Sequence, residues 1–183
     1  VTSTTLSYTN LSPADNATGV CYDTPLYLKF NTSPVLGAGT LRIYDSADTL
    51  VDTIDLSLNQ ANNAQTRAIA GGTYYTYPVI IRSNTAAIFP HLGVLTSNTT
   101  YYVLMDTGFF KDTGGASMVG ISSPTAWNFA TKVVGPDTAT VTNITVAADG
   151  SGDFVTVQGA IDWVLPGNTT PITINLKPGI YEE

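Results

Sequence analysis

The stretch "PLYLKF", residues 25–30, shows the pattern on which most of the chain is built. Its apolar side chains Leu26, Leu28 and Phe30 recur at every second position, and a tyrosine and a lysine occupy the positions between them. A period of two places the three apolar side chains on one face of a β-strand. The stretch therefore predicts a strand with one face in a core.

The same period continues on both sides of this stretch, from about Leu6 to Thr131. Further sets of side chains predicted to share one strand face are Leu41 and Ile43; Ile54, Leu56 and Leu58; Tyr75, Tyr77, Val79 and Ile81; Tyr101, Val103 and Met105; and Trp127 and Phe129. Residues 59–72 are polar and weakly patterned, which indicates a long loop or a loop with an irregular strand. About seven short strands between turn-forming residues predict a mainly β fold, a sandwich of two antiparallel sheets.

The charge and the apolar content of the chain argue against two classes of partner, nucleic acids and membranes. The formal net charge is −7 and only 11% of the residues are charged. No basic stripe is available to displace counterions, so we expect no nucleic-acid partner. No apolar stretch has the length needed to cross a bilayer, so we expect no membrane partner. The abundance of uncharged polar residues favours a secreted, extracellular protein.

The chain has one cysteine, Cys21, and one histidine, His91. A lone cysteine excludes an intrachain disulfide and a cysteine-based zinc site. His91 lies in "IFPHLG" without a nucleophile motif nearby, so we interpret it as a loop residue and not as a catalytic one. The acidic turns at Asp45, Asp48 and Asp112 do not match the spacing of a calcium loop. The sequence therefore predicts no metal site and no cofactor.

A different pattern begins after the turn signal Gly135-Pro136-Asp137. The segment "VAADGSGDFVTVQGAIDWVLP", residues 146–166, reads as a strand, a glycine turn and a helix. Asp153 or Thr156 is the expected N-cap, and Gly159 weakens the helix by up to ~1 kcal/mol relative to alanine. An apolar stripe at helical spacing comprises Phe154, Val157, Ile161 and Val164 with Leu165. A second strand follows, with Ile172, Ile174 and Leu176 on one face.

The glycine turn has two interpretations. Gly150 and Gly152 before a helix are similar to the start of a dinucleotide-binding fingerprint. However, Val155 stands where the third glycine belongs, and Asp149 and Asp153 would repel a pyrophosphate at the helix N-terminus. We therefore interpret the glycines as parts of a tight structural turn.

Two stretches carry a family resemblance: "LSPADNATGVCYDTPLYLKFNTSPV" (11–35) and a late half that ends in "TAWNFAT" (125–131). With them, residues 6–132 resemble bacterial Ig-like modules of the kind found in surface-layer proteins. It implies an Ig-like β-sandwich. Tyr101 lies where the hydroxyl of a tyrosine corner could bond the backbone just upstream.

A second resemblance rests on "VAADGSGDFVTVQGAID" (146–162) followed by "INLKPGIYEE" (174–183). With these segments, the last forty or so residues resemble the N-terminal start of pectin methylesterases, carbohydrate esterases built as right-handed parallel β-helices. In that family the helix caps the end of the β-helix, so the resemblance implies a structural role for the matching residues here. They are Asp149, Gly150, Gly152, Phe154, Thr156, Gln158, Gly179, Tyr181 and Glu183.

The family's catalytic motifs lie on later coils and do not occur in this sequence, so no catalytic residue is carried over. We expect an Ig-like sandwich over 1–132, a linker over 133–143 and a capping fragment of a β-helix over 144–183. The resemblance implies that this is a non-catalytic N-terminal portion of a secreted pectinesterase-like protein. Its expected partners are the remainder of the β-helix, pectin of the plant cell wall, and a second copy through the uncovered fragment.

The sequence leaves three roles open for the Ig-like module: a spacer that docks the β-helix, a carbohydrate-binding module, or a surface adhesion domain. Sugar rings stack on exposed aromatic faces, and the candidates for such contacts are Tyr74, Tyr75 and Tyr77, and Phe109 and Phe110 in a predicted loop. The alternative is that the tyrosines fill a core or pair across strands. An adhesion domain would be followed by another sandwich, whereas this module is followed by an esterase-like start.

Overall fold

The computed structural model describes residues 5–58, 65–69 and 72–181. The strands up to residue 131 are, in chain order, β1 (Tyr8–Ser12), β2 (Ala17–Val20), β3 (Leu26–Phe30), β4 (Val35–Leu36), β5 (Thr40–Asp45), β6 (Leu50–Asp55), β7 (Gln65–Ile69), β8 (Gly72–Thr76), β9 (Val79–Arg82), β10 (Thr85–Ile88), β11 (Thr100–Met105), β12 (Phe110–Lys111) and β13 (Asn128–Thr131). A 3-10 helix, Leu56–Leu58, follows β6. Strand β14 (Asn143–Val146), helix α1 (Val157–Trp163) and strand β15 (Thr173–Leu176) come after them.

Two sheets enclose the main core. One has the strand order β1-β3-β10-β9 and the other β2-β13-β11-β5-β6. Neighbouring strands are antiparallel except β2 and β13, which run parallel. Strands β4 and β12 form a short pair, and β7 and β8 form another. The predicted mainly β, Ig-like architecture is confirmed.

The strand faces predicted from the period of two supply this core. The side chains of β3 alternate between buried and more exposed positions along the whole strand. Predicted core residues that are at most 2% exposed are Leu26, Leu28, Phe30, Leu41, Ile43, Ile54, Tyr101, Val103, Met105, Trp127 and Phe129. Their burial confirms that alternation alone identifies most of the core.

Two buried aromatic residues also satisfy their polar atoms. The hydroxyl of Tyr101 accepts a hydrogen bond from the backbone N–H of Thr96 at 2.8 Å. This is the upstream bond expected of a tyrosine corner. The indole Nε1 of Trp127 donates to the carbonyl of Pro13 at 2.8 Å. Both aromatic residues are therefore buried without leaving their donor or acceptor groups unpaired.

The return strand after β5 differs from the prediction. We expected Ile54, Leu56 and Leu58 to form it, but β6 ends at Asp55 and the next three residues form the 3-10 helix. Ile54 and Leu56 are buried as predicted, whereas the side chain of Leu58 lies outside the described part of the structure. The inward position before Ile54 is Asp52, which is only 7% exposed. The polar character of Asp52 hid the true extent of the strand.

The tyrosine-rich stretch divides at Pro78 into β8 and β9. Proline has no backbone N–H to donate to a sheet, which favours this break. The prediction that Tyr77 and Val79 share a face is wrong, since Tyr77 is 43% exposed and Val79 is 3% exposed. The predicted irregular segment before it contains β7, which pairs with β8. Residues 59–64 and 70–71 lie outside the described residues.

The last part of the chain is a strand–helix–strand unit. Strands β14 and β15 run parallel, with Ile144 opposite Ile174 and Val146 opposite Leu176. A second core cluster is centred on the buried residues Ile144, Val146, Phe154 and Ala160. Thr156 is the N-cap of α1, because its hydroxyl oxygen accepts the N–H of Gly159 at 2.9 Å. Asp153, the other predicted cap, instead accepts the N–H of Thr145 at 2.8 Å.

Candidate functional site

The strand–helix–strand unit is held against the sandwich, and the contacts between them form the candidate functional site. We call this set of contacts the junction. Its sandwich side comprises Cys21, Tyr22, Asp23 and Lys132, and its other side comprises the glycine turn and the beginning of α1. The first three residues follow β2, and Lys132 follows β13. Since β2 and β13 are neighbours in one sheet, the sheet brings these residues together.

The carboxylate of Asp23 is the central contact of the junction. It accepts the backbone N–H of Val155 at 3.0 Å and that of Thr156 at 2.8 Å, and it accepts the hydroxyl of Thr156 at 2.7 Å. In a capping box, a side chain three positions after the N-cap usually satisfies the N–H of the N-cap residue. Here the sandwich supplies that group from 133 residues away in sequence. A negative charge at this end of a helix is also favourable.

Because Gly159 has no side chain, the side chain of Asp23 can occupy the space beside the first turn of α1. A Cβ atom at Gly159 would lie 2.6 Å from an oxygen of the Asp23 carboxylate and 2.7 Å from its Cβ. The sequence indicated only that this glycine weakens the helix. The structure shows that it admits the carboxylate at the position where a capping box would have its own side chain.

Lys132 makes the second polar contact. Its Nζ donates to the carbonyl of Gly150 at 2.9 Å, to that of Gly152, and to the Sγ of Cys21 at 3.1 Å. Gly152 is required there, because a Cβ atom would lie 2.5 Å from the carbonyl oxygen of Thr145. The two glycines of the turn therefore direct their carbonyl groups at a cation of the sandwich, and not their N–H groups at a phosphate.

The thiol of Cys21 is enclosed by the junction. The residue is 1% exposed, and its Sγ lies 3.5 Å from the carbonyl oxygen of Gly152. Burial raises the pKa of this thiol, and the neighbouring Lys132 only partly opposes the rise. A neutral, inaccessible thiol is unreactive, so this cysteine is structural in the closed junction.

An aromatic chain forms the apolar side of the junction. Tyr22 meets Phe154 edge-on with ring centroids 5.6 Å apart, and Phe154 meets Trp163 at 6.1 Å. The Nε1 of Trp163 donates to the carbonyl of Pro136 at 3.1 Å. Burial, and after it the charge of Asp23, raises the pKa of Tyr22 to about 12. Tyr22 packs against both core clusters and so joins them.

The remaining described residues of the esterase-like motif lie in turns, in helix α1 and in the second cluster. Asp149 accepts hydrogen bonds from the hydroxyl and the N–H of Ser151, and these bonds hold its pKa below the ordinary value. Gln158 donates to Asp162 at 2.9 Å. The hydroxyl oxygen of Tyr181 lies 2.6 Å from the carbonyl oxygen of Lys177 and 3.1 Å from that of Val146, and the hydroxyl donates to these backbone acceptors. Phe154 is fully buried, Gly179 is exposed, and Glu183 lies outside the described residues.

The aromatic candidates for sugar contacts separate into three groups. Phe109 and Phe110 are 0% exposed and pack against each other in the main core, so the prediction of an exposed pair in a loop is wrong. Tyr77 is 43% exposed and is accessible to a ligand. Tyr74 and Tyr75 belong to β8, and their side chains lie outside the described part of the structure.

His91 has a partner that the sequence did not indicate. Its Nδ1 lies 2.6 Å from the buried carboxylate of Asp52, and its backbone N–H donates to the same carboxylate at 2.8 Å. The loop that follows β10 is thereby tied to β6. An inward-facing aspartate in an apolar strand was the one signal of this contact in the sequence.

Within the described residues, no three His, Cys, Asp or Glu side chains are grouped so that they could hold a metal ion. In the same part of the chain, none of the helices combines the length and the apolar character of a membrane span.

In comparisons with known proteins, the two parts of the chain are similar to different proteins. A C-terminal segment is 51% identical over 45 residues to pectinesterase 31 of Arabidopsis thaliana and 49% identical over 41 residues to a pectinesterase of Petunia integrifolia. It is 46% identical over 41 residues to the probable pectinesterase/pectinesterase inhibitor 23 of Arabidopsis thaliana. These matches cover 25%, 22% and 22% of this chain but only 14%, 11% and 7% of those proteins. The similarity is therefore partial and confined to a short segment.

The larger part of the chain matches a family of its own. Residues 2–131 fit the family described as "Bacterial Ig-like domain", which agrees with the two-sheet architecture and the tyrosine corner. The chain belongs to the bacterial Ig-like domain family.

Proposed function

We propose that this chain is a non-catalytic N-terminal portion of a secreted pectinesterase-like carbohydrate esterase, and that its Ig-like sandwich holds the first coil of a β-helix in a fixed position. The observation that carries this proposal is the contact of Asp23 with Val155 and Thr156. It ties the sandwich to the segment that is similar to pectinesterases. The low content of charged residues, 11%, supports the proposed secreted location.

The pairing of β14 with β15 supports the β-helix part of the proposal. Coils of a parallel β-helix stack in-register strands, and here Ile144 lies opposite Ile174 and Val146 opposite Leu176. The β14 residues of these pairs are fully buried, whereas Leu176 is 53% exposed. A further coil stacked on β15 would cover this apolar side chain and pair with the strand edge. We propose that the remainder of the β-helix is the partner of this face.

The composition of the junction supports fixed docking over free tethering. Domains joined by a linker normally move relative to each other unless the interface between them is extensive. This junction combines a carboxylate with three donors, an ammonium group with two carbonyls, and an aromatic chain. Hydrogen bonds to charged groups each contribute about 1.5–3 kcal/mol. A few such bonds are sufficient to keep the closed arrangement dominant.

Replacing Asp23 by alanine should open the junction, and Cys21 reports the opening. It is the only cysteine of the chain and is 1% exposed. The loss of even one hydrogen bond to a charged group, about 1.5–3 kcal/mol, corresponds to a rise of about 10- to 150-fold in the labelling rate of the thiol, and this range is the smallest increase that we expect. The measurement is the rate of reaction with an aromatic disulfide reagent under native conditions. Asp23→Asn, which keeps one acceptor oxygen, should give a smaller increase.

Asp112→Ala is the matched control for this experiment. The Asp112 carboxylate also accepts a backbone N–H, that of Ala116 at 2.8 Å, but it belongs to a different turn of the sandwich. This variant should leave the labelling of Cys21 unchanged. Equal labelling rates in the unmodified protein and in Asp23→Ala would contradict fixed docking through Asp23.

The proposed lack of catalysis has a separate test. Asp149 and Asp153, the two acidic residues at the glycine turn, accept structural hydrogen bonds from the backbone N–H groups of Ser151 and Thr145. We expect methanol release from methyl-esterified pectin to equal that of a protein-free blank at micromolar protein concentration. Release that rises in proportion to protein concentration would contradict the proposal, provided that an active esterase measured in parallel confirms the sensitivity of the assay.

A further inference from the structure

Helix α1 is too short to be stable by itself. It has seven residues, Val157–Trp163, whereas isolated helices of fewer than about 12–15 residues are marginal in water. Gly159 lowers its helix propensity, and the β-branched Val157 and Ile161 lower it further. Its first turn contains no acidic residue to balance the helix dipole. The formation of α1 therefore depends on contacts outside the helix.

The remainder of the strand–helix–strand unit also has little stability of its own. Strands β14 and β15 have four residues each and form a two-stranded sheet. They run parallel, so the chain must close a long crossover through the glycine turn and α1 before the strands can pair. Among the described residues, the buried members of the second cluster are Ile144, Val146, Phe154 and Ala160. So few buried side chains offset little of the conformational entropy that the unit loses on folding.

The sandwich supplies three contacts that the unit lacks. The carboxylate of Asp23 accepts the backbone N–H and the hydroxyl of Thr156, at 2.8 and 2.7 Å, and so completes the cap of α1. The ring of Tyr22 meets Phe154 edge-on and extends the second cluster. The ammonium group of Lys132 donates to carbonyl groups of the glycine turn. A cap, an apolar surface and a partner for the turn thus all come from the sandwich.

The surface that makes these contacts is fixed by bonds within the sandwich. The backbone N–H of Lys132 donates to the carbonyl of Val20 at 2.8 Å, and that of Thr24 donates to the carbonyl of Cys21 at 3.1 Å. Tyr22 also packs against the main core, which is larger than the second cluster. The dependence is therefore one-sided: the unit needs the sandwich, whereas the sandwich has its own core and its own sheets.

We propose that the sandwich is the folding template of the strand–helix–strand unit. The sandwich folds first, and the unit gains stable structure only on the preformed surface of Tyr22, Asp23 and Lys132. Undocking and unfolding of the unit are then a single event. This inference rests on the docking part of the proposed function and goes beyond it, since docking alone would allow a unit that stays folded when the junction opens. In a longer β-helix, the template would fix the end at which the stacking of coils begins.

The test compares two rates in the whole chain: hydrogen exchange of the amides of β14, β15 and α1, and labelling of the Cys21 thiol. In Asp23→Ala both rates should rise by factors that agree within about threefold, because one opening event exposes the thiol and the amides. The rise should be at least about tenfold, as expected for the loss of one hydrogen bond to a charged group. Amides of β3 and β11 should keep their protection, which shows that the sandwich of the variant is folded.

Phe154→Ala tests the same link from the side of the unit. Phe154 belongs to the second cluster, whereas Cys21 belongs to the sandwich side of the junction. If undocking and unfolding are one event, the labelling of Cys21 should rise in parallel with the exchange of α1. Asp112→Ala is again the matched control, because its carboxylate caps a turn of the sandwich away from the junction. It should change neither rate.

The possible results separate the template from docking alone. Faster labelling of Cys21 in Asp23→Ala with unchanged exchange in β14 and β15 would agree with docking and overturn the template. If neither rate changed, docking through Asp23 and the template would both be contradicted. Pulsed hydrogen exchange during refolding of the unmodified protein adds a test that needs no variant. Amides of β3 and β11 should become protected before those of β14, β15 and α1, and protection of the unit no later than the sandwich would overturn the proposal.

Discussion

Replacing Trp127 by alanine is expected to lower the free energy of unfolding of the sandwich by about 3–5 kcal/mol, the range for removing a large aromatic side chain from a core. Trp127 is 0% exposed and has the largest side chain in the main core. The variant would also leave the carbonyl of Pro13, now bonded at 2.8 Å, without its indole donor. Urea unfolding followed by circular dichroism measures the change. Tryptophan fluorescence is unsuitable, because the variant lacks Trp127 and the second tryptophan of the chain, Trp163, packs against a different cluster.

Trp127→Phe separates the two contributions. The phenyl ring keeps most of the apolar volume and removes only the N–H group and part of the indole. The expected loss is about 1–3 kcal/mol, the cost of leaving a buried polar group unpaired. A change below about 0.5 kcal/mol for both variants would show that the indole does not lie in the core.

The core of the sandwich could be predicted because a period of two has one simple physical consequence. Every second side chain of β3 must lie on the same face, and the apolar face must be buried. Leu26, Leu28 and Phe30 needed no knowledge of their partners to be assigned to the core. Tyr101 and Trp127 followed in the same way, and the resemblance to Ig-like modules added the expected bond of the tyrosine hydroxyl.

The prediction of core residues from the sequence was wrong where a strand is too short to show a period of two. Phe109 and Phe110 are adjacent, and two neighbouring positions of a regular strand cannot both point inward. Their burial is explained by the structure: β12 contains only two residues, beginning at Phe110, and Phe109 precedes it. Phe110 meets Phe30 and Phe109 edge-on, each with ring centroids 5.0 Å apart. A turn that brings two consecutive rings into a core leaves no signature in the alternation of residues.

The junction could not be predicted for a different reason. Asp23 and Thr156 are 133 residues apart, and nothing in either local pattern refers to the other. Gly159 was interpreted from its helix propensity alone, although its lack of a side chain serves a carboxylate on another element. Pairings of this kind depend on the order of strands in the sheet, which a single sequence does not specify.

Replacing Phe154 by alanine is expected to unfold the strand–helix–strand unit while the sandwich stays folded. The second cluster has four buried residues, Ile144, Val146, Phe154 and Ala160, and Phe154 is the largest of them. Its removal should cost about 3–5 kcal/mol. A unit with so few buried side chains has little stability in reserve, whereas the sandwich has a separate and larger core.

Hydrogen exchange measures this effect for each element. Amides of β14, β15 and α1 should exchange at least about a hundredfold faster in Phe154→Ala, which corresponds to about 3 kcal/mol, and amides of β3 and β11 should keep their protection. The matched control is Ile161→Ala, because Ile161 lies in the same helix and is 50% exposed. Its exchange should stay within about threefold of the unmodified protein, since exposed substitutions usually change stability by less than about 0.5 kcal/mol. Equal loss of protection in β3 would show that the two clusters unfold as one cooperative unit, and the sandwich would then depend on the segment that it is proposed to hold.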